Sequence, residues 1–377
     1  MLIFAAILAI FVYGMIAAML GTILPDLSER FHLTPTQNGT IAFAQALGLM
    51  IASLAVGPLL DTQGDKIGLI LGLLCIAGSL FALPKSRSYG AIVFLLFLLG
   101  VGGGIVVTGA NALSSAASPE HRATALNLVN LFFGLGGLAT PFISANLFKR
   151  NWVLLCYTVA TLTVGTLVFQ AVTPMPAPAG SAGFLLADVG PLLGRPLLLL
   201  SGLFLFLYVG CEVGVWNWLP RHLIAQGIPE SKALNILSLG FALGLLIGRV
   251  AVSPILIHVP AATVTLASSV AMAVTTFLML RTNKPVAAAV LVFLAGLAMA
   301  PVFPTTLAIV GTAFPRMTGT AIGFAITCGW AGLAVSSRII GAIAGPDPQR
   351  LKKALLLIPG SAVLMIGLNL AMQATLR

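Results

Sequence analysis

Glu212 lies near the middle of Phe204-Leu-Phe-Leu-Tyr-Val-Gly-Cys-Glu-Val-Gly-Val-Trp-Asn-Trp-Leu-Pro-Arg221, a stretch that otherwise offers mostly apolar side chains. A charged group at the centre of a bilayer costs about 3 kcal/mol even on insertion scales, so one kept there is a candidate for function. Tyr208, Glu212 and Trp216 recur at every fourth residue, which puts them on one helix face. The chemistry on offer is proton uptake beside two amphipathic rings. A protonated Glu bonded to a neighbouring helix fits the same pattern. The chain's other acids fall at the edges of apolar runs or between them.

A second set of polar groups sits inside apolar runs. Asn38 and Gln45 share a face, as do Thr108 and Asn111; Asn127, Asn130 and Gly134 form a third group, Asn235 and Ser238 a fourth, and Thr327 and Trp330 a fifth. Amides bond the hydroxyls of a sugar, and aromatic rings cover its apolar faces. Gln45, Asn111, Asn127, Asn130, Tyr208, Trp216, Asn217 and Trp330 are therefore the expected lining of a polar cavity. Amides that bridge helices would read the same way. Trp218, beside Leu219-Pro220, reads as an interfacial anchor.

Catalysis finds no support. No His-Glu-x-x-His or Gly-x-Ser-x-Gly motif occurs, and Gly100-Val-Gly-Gly-Gly104 lacks the Lys-Ser/Thr of a phosphate loop. Cys75, Cys156, Cys211 and Cys328 lie in apolar runs without metal-ligand spacing, so neither metal nor cofactor is expected.

The elements that must position these groups follow from composition. With 59% hydrophobic and 7% charged residues in 377, the chain is an all-α polytopic membrane protein. Spans are expected at 2–24, 36–60, 66–84, 90–115, 122–148 and 152–173, then at 197–220, 231–255, 261–280, 285–312, 319–344 and 351–374. The first is read as a span, not a cleaved signal peptide, because no basic n-region precedes it. A Pro/Gly/Ser-rich linker, 174–196, separates a bundle over 1–173 from one over 197–377. The halves echo one another. Phe11, Tyr13 and Leu24-Pro25 match Phe206, Tyr208 and Leu219-Pro220; Ser118-Pro119 matches Phe314-Pro315; Gly57-x-x-x-Asp61 is set against Gly244-x-x-x-Gly248. Such repeats build pseudo-symmetric halves that expose a midplane site alternately to the two sides.

Gly57-Pro-Leu-Leu-Asp61-Thr-Gln-Gly64-Asp65-Lys66 resembles the loop motif between spans two and three of the major facilitator superfamily. Asp61, Gly64 and Lys66 match; Thr62 and Asp65 stand where the motif has arginines. Gly57 permits close helix approach, Gly64 a tight turn, and Asp61 can pair with a cation or cap a helix N-terminus. Arg122 is one expected partner. The resemblance implies twelve transmembrane helices in two six-helix bundles and a cytoplasmic latch built from Gly57, Asp61, Gly64 and Arg122. Thr108-Gly-Ala-Asn111, Ala125-Leu-Asn127-Leu-Val-Asn130, Tyr208-Val-Gly-x-Glu212 and Trp218-Leu-Pro220 are similar to the fucose:proton symporter branch. That branch's membrane acids would fall near Gly21 and at Val107, neither acidic here, which leaves Glu212 as the carboxylate suited to coupling.

The expected function is secondary transport of a small polar solute, first a monosaccharide or polyol, coupled to protons or sodium or to neither. An exporter of drugs or organic anions, and a non-transporting receptor or scaffold, are the alternatives. The partners are the solute and the lipid bilayer, without nucleic acid; the net charge of +10 is read as scattered loop Lys and Arg. The protein is expected to act as a monomer in an inner (plasma) membrane with both termini cytoplasmic. Loop charge opposes that orientation, with six Lys/Arg on the motif side against twelve on the other.

Overall fold

A computed structural model describes residues 1–176, 186–345 and 348–376. Residues 177–185 of the expected linker, and the loop and terminal charges Asp347 and Arg377, lie outside the described residues. Among those described, 12 helices are long and apolar enough to cross a membrane. They are α1 (Leu2–Phe31), α2 (Pro35–Gln63), α3 (Asp65–Lys85), α4 (Tyr89–Ala117), α5 (Arg122–Asn146), α6 (Trp152–Val172), α7 (Pro196–Ala225), α8 (Glu230–His258), α9 (Ala261–Met279), α10 (Pro285–Ala313), α11 (Thr318–Ala344) and α12 (Arg350–Leu376).

Local chemistry sets the helix ends. The Thr34 hydroxyl accepts from the Gln37 N–H while the Gln37 side chain accepts from the Thr34 N–H at 2.8 Å, a reciprocal cap that opens α2. Ser88 and Asn151 cap α4 and α6 in the same sense. Between α2 and α3 the chain turns through Gly64 at φ 90, a conformation that side chains resist.

The chain divides into two compact units. One takes Met1–Arg122, Val129–Gly190 and Gly311–Thr327; the other takes Ala123–Leu128, Pro191–Val310 and Cys328–Arg377. Thus α11 belongs to the first unit at its start and to the second from Cys328 onward.

Lipid tails are as apolar as leucine, so burial from water does not hold such helices together; close packing does. In the first unit, a Cβ on Gly48 would strike the Phe97 carbonyl and one on Gly100 the Gln45 carbonyl, which fixes α2 against α4. In the second unit, Gly244 meets the Phe293 carbonyl and Gly296 the Phe241 carbonyl, fixing α8 against α10. Each residue of the second set stands at the same offset from its counterpart. The contact of Gly136 with the Phe11 carbonyl likewise returns as Gly332 with the Phe206 carbonyl. The internal duplication is therefore written in backbone contacts. It also corrects one echo: Gly244 answers Gly48, so Gly57 and Gly244 are out of register.

Two helices depart from the continuous spans that periodicity suggests. In α8, residues Ile236–Ala242 form a π-helical stretch between two α-helical segments. In α10, the α-helix ends at Met299 and resumes at Val302. Pro301 and Pro304 explain the second break, since neither can donate to the carbonyl four residues earlier. Pro304 leaves the Ala300 carbonyl without its helical donor, and the buried Arg249 Nε lies 3.5 Å from that oxygen.

Candidate functional site

The Glu212 group lies within the second unit, on α7. Tyr208 is fully buried and Trp216 half-buried. The polar edges of both rings and the charge of Arg249 on α8 act on the Glu212 carboxylate. The Tyr208 hydroxyl approaches the carboxylate yet meets no partner at hydrogen-bonding geometry. A buried hydroxyl left so costs about 1–3 kcal/mol, which a bonded solute or water would recover. Trp216 packs against Phe241, edge to face with ring centroids 5.3 Å apart. Phe241 belongs to the π-helical stretch, a local geometry that recurs at functional sites. The indole N–H of Trp330, on α11, is likewise buried without a partner. Asn217 is exposed, its amide 3.3 Å from the Ser337 hydroxyl.

The asparagines of α4 and α5 are spent on bonds within and between helices. Asn130 donates to the Asn111 side-chain oxygen at 2.7 Å, and Asn111 donates to the Val107 carbonyl at 2.7 Å. Asn127 donates to the Thr305 hydroxyl on α10 at 2.9 Å and to the Ala123 carbonyl. All three are buried, so in this conformation they bridge helices. The Asn127 side-chain oxygen and the Thr108 hydroxyl remain buried without partners. Gln45 is half-buried on α2, where its backbone receives Gly100. The Asn111–Asn130 pair makes a measurable prediction. In a double-mutant cycle with Asn111→Ala and Asn130→Ala, unfolding should show a coupling of about 1 kcal/mol, the usual scale for interhelical bonds in membranes. Strict additivity would mean that the bond adds nothing.

Of the two partners expected for Asp61, a cation such as Arg122 or a helix N-terminus, it meets the second, within the first unit. Asp61 accepts from the Gly319 N–H at 2.7 Å, the Thr320 N–H at 2.8 Å and the Thr320 hydroxyl at 2.6 Å. These are donors from the first turn of α11, whose N-terminal end attracts negative charge. Gly57 lies against the Thr320 backbone, where a Cβ would have no room. Arg122 is not bonded to Asp61. Its guanidinium donates to the Ser115 carbonyl at 2.8 Å and the Thr312 hydroxyl at 2.9 Å, near the C-terminal ends of α4 and α10. Each charge thus faces a helix end of opposite sign in place of the other charge. Lys66 does the same, donating to the Thr173 carbonyl just past α6. Sequence reasoning missed Gly319 and Thr320; the signal was Thr318-Gly-Thr320 after Phe314-Pro315, a helix start rich in capping residues.

The family model described as the Major Facilitator Superfamily matches residues 6–337. The chain belongs to the major facilitator superfamily. It is a multi-pass membrane protein, as the superfamily's helices and their apolar surfaces require. Among relatives in the superfamily, the glucose/mannose transporter GlcP of Bacillus subtilis is 25% identical over 381 residues, covering 97% of this chain and 93% of that one. Among solved superfamily structures, the E. coli fucose:proton symporter FucP superposes with a TM-score of 0.85 at 17% identity, over 98% of both chains. The human organic anion transporter MFSD10 gives a TM-score of 0.78 at 16% identity, also over 98% of both. At those identities the two structures speak for the fold alone.

Proposed function

We propose that the protein is a secondary transporter that moves a monosaccharide by alternating access, driven by protons through Glu212. The observation that carries this reading is a carboxylate in the middle of α7, a membrane-spanning helix, flanked by Tyr208 and Trp216. Such a group can take a proton on one side and release it on the other. The hydroxyl and indole donors left unpartnered on Tyr208 and Trp330 suit a solute rich in hydroxyls, with the rings against its apolar faces. Similarity over nearly the whole chain to a transporter of glucose and mannose favours a hexose over a drug or an organic anion.

In this reading Trp216, Asn217 and Gln45 complete the polar lining, and Asn111, Asn127 and Asn130 join it when their interhelical bonds rearrange. Gly57, Asp61, Gly64 and Arg122 form the gate. The two sequence halves, 1–173 and 197–377, are the moving parts, joined by 174–196. The protein works as a monomer in a plasma (inner) membrane with both termini cytoplasmic. The test is solute uptake by purified protein in liposomes. Hexoses should compete with one another for uptake, while organic anions and hydrophobic cations should not.

A further inference from the structure

Where α8 and α10 begin, the two helices leave a groove of about 610 Å³ within the second unit. Ile236, Leu239 and Gly240 of α8 face Val286, Val290 and Phe293 of α10 across it. Its walls open sideways: Leu239, Val286 and Val290 are 63%, 77% and 53% exposed. The mouth is polar. Lys232 and Asn235 line it, and Lys284 immediately precedes the first residue of α10.

We propose that this groove binds one anionic phospholipid, with its phosphate between Lys232 and Lys284 and an acyl chain along Leu239, Val290 and Phe293. Three observations argue for that occupant. First, the lining runs from cationic to apolar over the eight steps from Lys232 to Gly240, about 12 Å of helix. That is the order of headgroup and chain in a leaflet. Second, α8 and α10 start from the same membrane face, since successive spans alternate, so the mouth lies at headgroup depth. Third, the charge at the mouth is positive. The neighbouring acid, Glu230, stands two residues before Lys232 and so projects from the other side of the helix.

The π-helical stretch ties the groove to the rest of the unit. It supplies Leu239 and Gly240 to one side and Phe241, which holds Trp216, to the other. A bound chain therefore braces the segment that positions the ring next to Glu212.

The experiment is native mass spectrometry of the purified full chain with equal amounts of phosphatidylglycerol and phosphatidylcholine. Its readout is lipid adducts and does not depend on transport, so it stands or falls separately from the sugar reading. The parent should retain phosphatidylglycerol preferentially. A lysine near an anionic headgroup is worth about 1 kcal/mol, or roughly fivefold, so Lys232→Gln with Lys284→Gln should cut those adducts by about an order of magnitude or more. Val290→Trp keeps both lysines but fills the groove, and should lower them as much. Both double-lysine positions and Val290 are exposed, so the fold should survive, which an unchanged melting temperature checks. Equal retention of the two lipids by the parent would overturn the proposal. Undiminished phosphatidylglycerol adducts on either folded variant would overturn it too.

Discussion

Replacing Glu212 by glutamine should abolish concentrative uptake of the transported sugar, lowering it at least a hundredfold, while equilibrium exchange stays within a few-fold of the parent. Glutamine keeps the size of the side chain and one acceptor oxygen, but it cannot carry a proton. Coupling needs the protonated and deprotonated forms to differ in which side they favour; exchange needs only the loaded protein to change sides. Proteoliposomes with an imposed pH gradient, compared with liposomes preloaded with unlabelled sugar, separate the two. Equal loss of both activities would make Glu212 a binding or structural group and remove the basis for proton coupling.

The second large effect is expected at Asp61. Its carboxylate takes three donors at the start of α11, all between 2.6 and 2.8 Å. Hydrogen bonds to a charged group contribute about 1.5–3 kcal/mol each. Even if half of that is recovered elsewhere, Asp61→Ala should weaken the latched arrangement by about 3 kcal/mol, on the order of a hundredfold in a two-state equilibrium. A cysteine placed at Thr318 (Thr318→Cys) in a cysteine-free background reports it. Its alkylation by a membrane-impermeant maleimide should be at least tenfold faster with Asp61→Ala than without. Asp61→Asn, which keeps one acceptor oxygen, should fall between the two. Arg122→Gln should also release restraint, but by a separate route, because its bonds go to Ser115 and Thr312 and not to Asp61. Identical alkylation rates across the series would show that these contacts do not hold the latch.

Much of the fold was legible because membrane helices advertise themselves through composition. Twelve apolar runs, separated by short polar loops, appear as twelve helices near the expected positions. The duplication was legible too, although the contacts that prove it are glycine-to-carbonyl approaches that need no side-chain match. Gly57 and Gly244 share only a Gly-x-x-x spacing, whereas the contacts pair Gly244 with Gly48.

At the site, local spacing succeeded and long-range pairing did not. Tyr208, Glu212 and Trp216 share a face because helix periodicity requires it. Which helix Asp61 would meet could not be read from its own motif. Two solutions, a cation or a helix N-terminus, have the same electrostatic sign, and only the packing of Gly57 on Thr320 selects the second. The asparagines show the same limit. An amide that will bond a solute and one that bonds a neighbouring helix are the same residue at the same spacing. The π-helical stretch of α8 has no sequence signature in the periodicity of Ile236–Ala242, since it arises from how that helix packs.

Counterflow asks most directly whether the transported solute is a hexose. Liposomes containing purified protein and loaded with unlabelled glucose should transiently accumulate labelled glucose from outside, driven only by exit of the internal sugar. Mannose should substitute for glucose, and organic anions should not. Accumulation that requires a hexose inside would support the account. Absence of counterflow with every hexose, alongside counterflow of an organic anion or a drug, would contradict it.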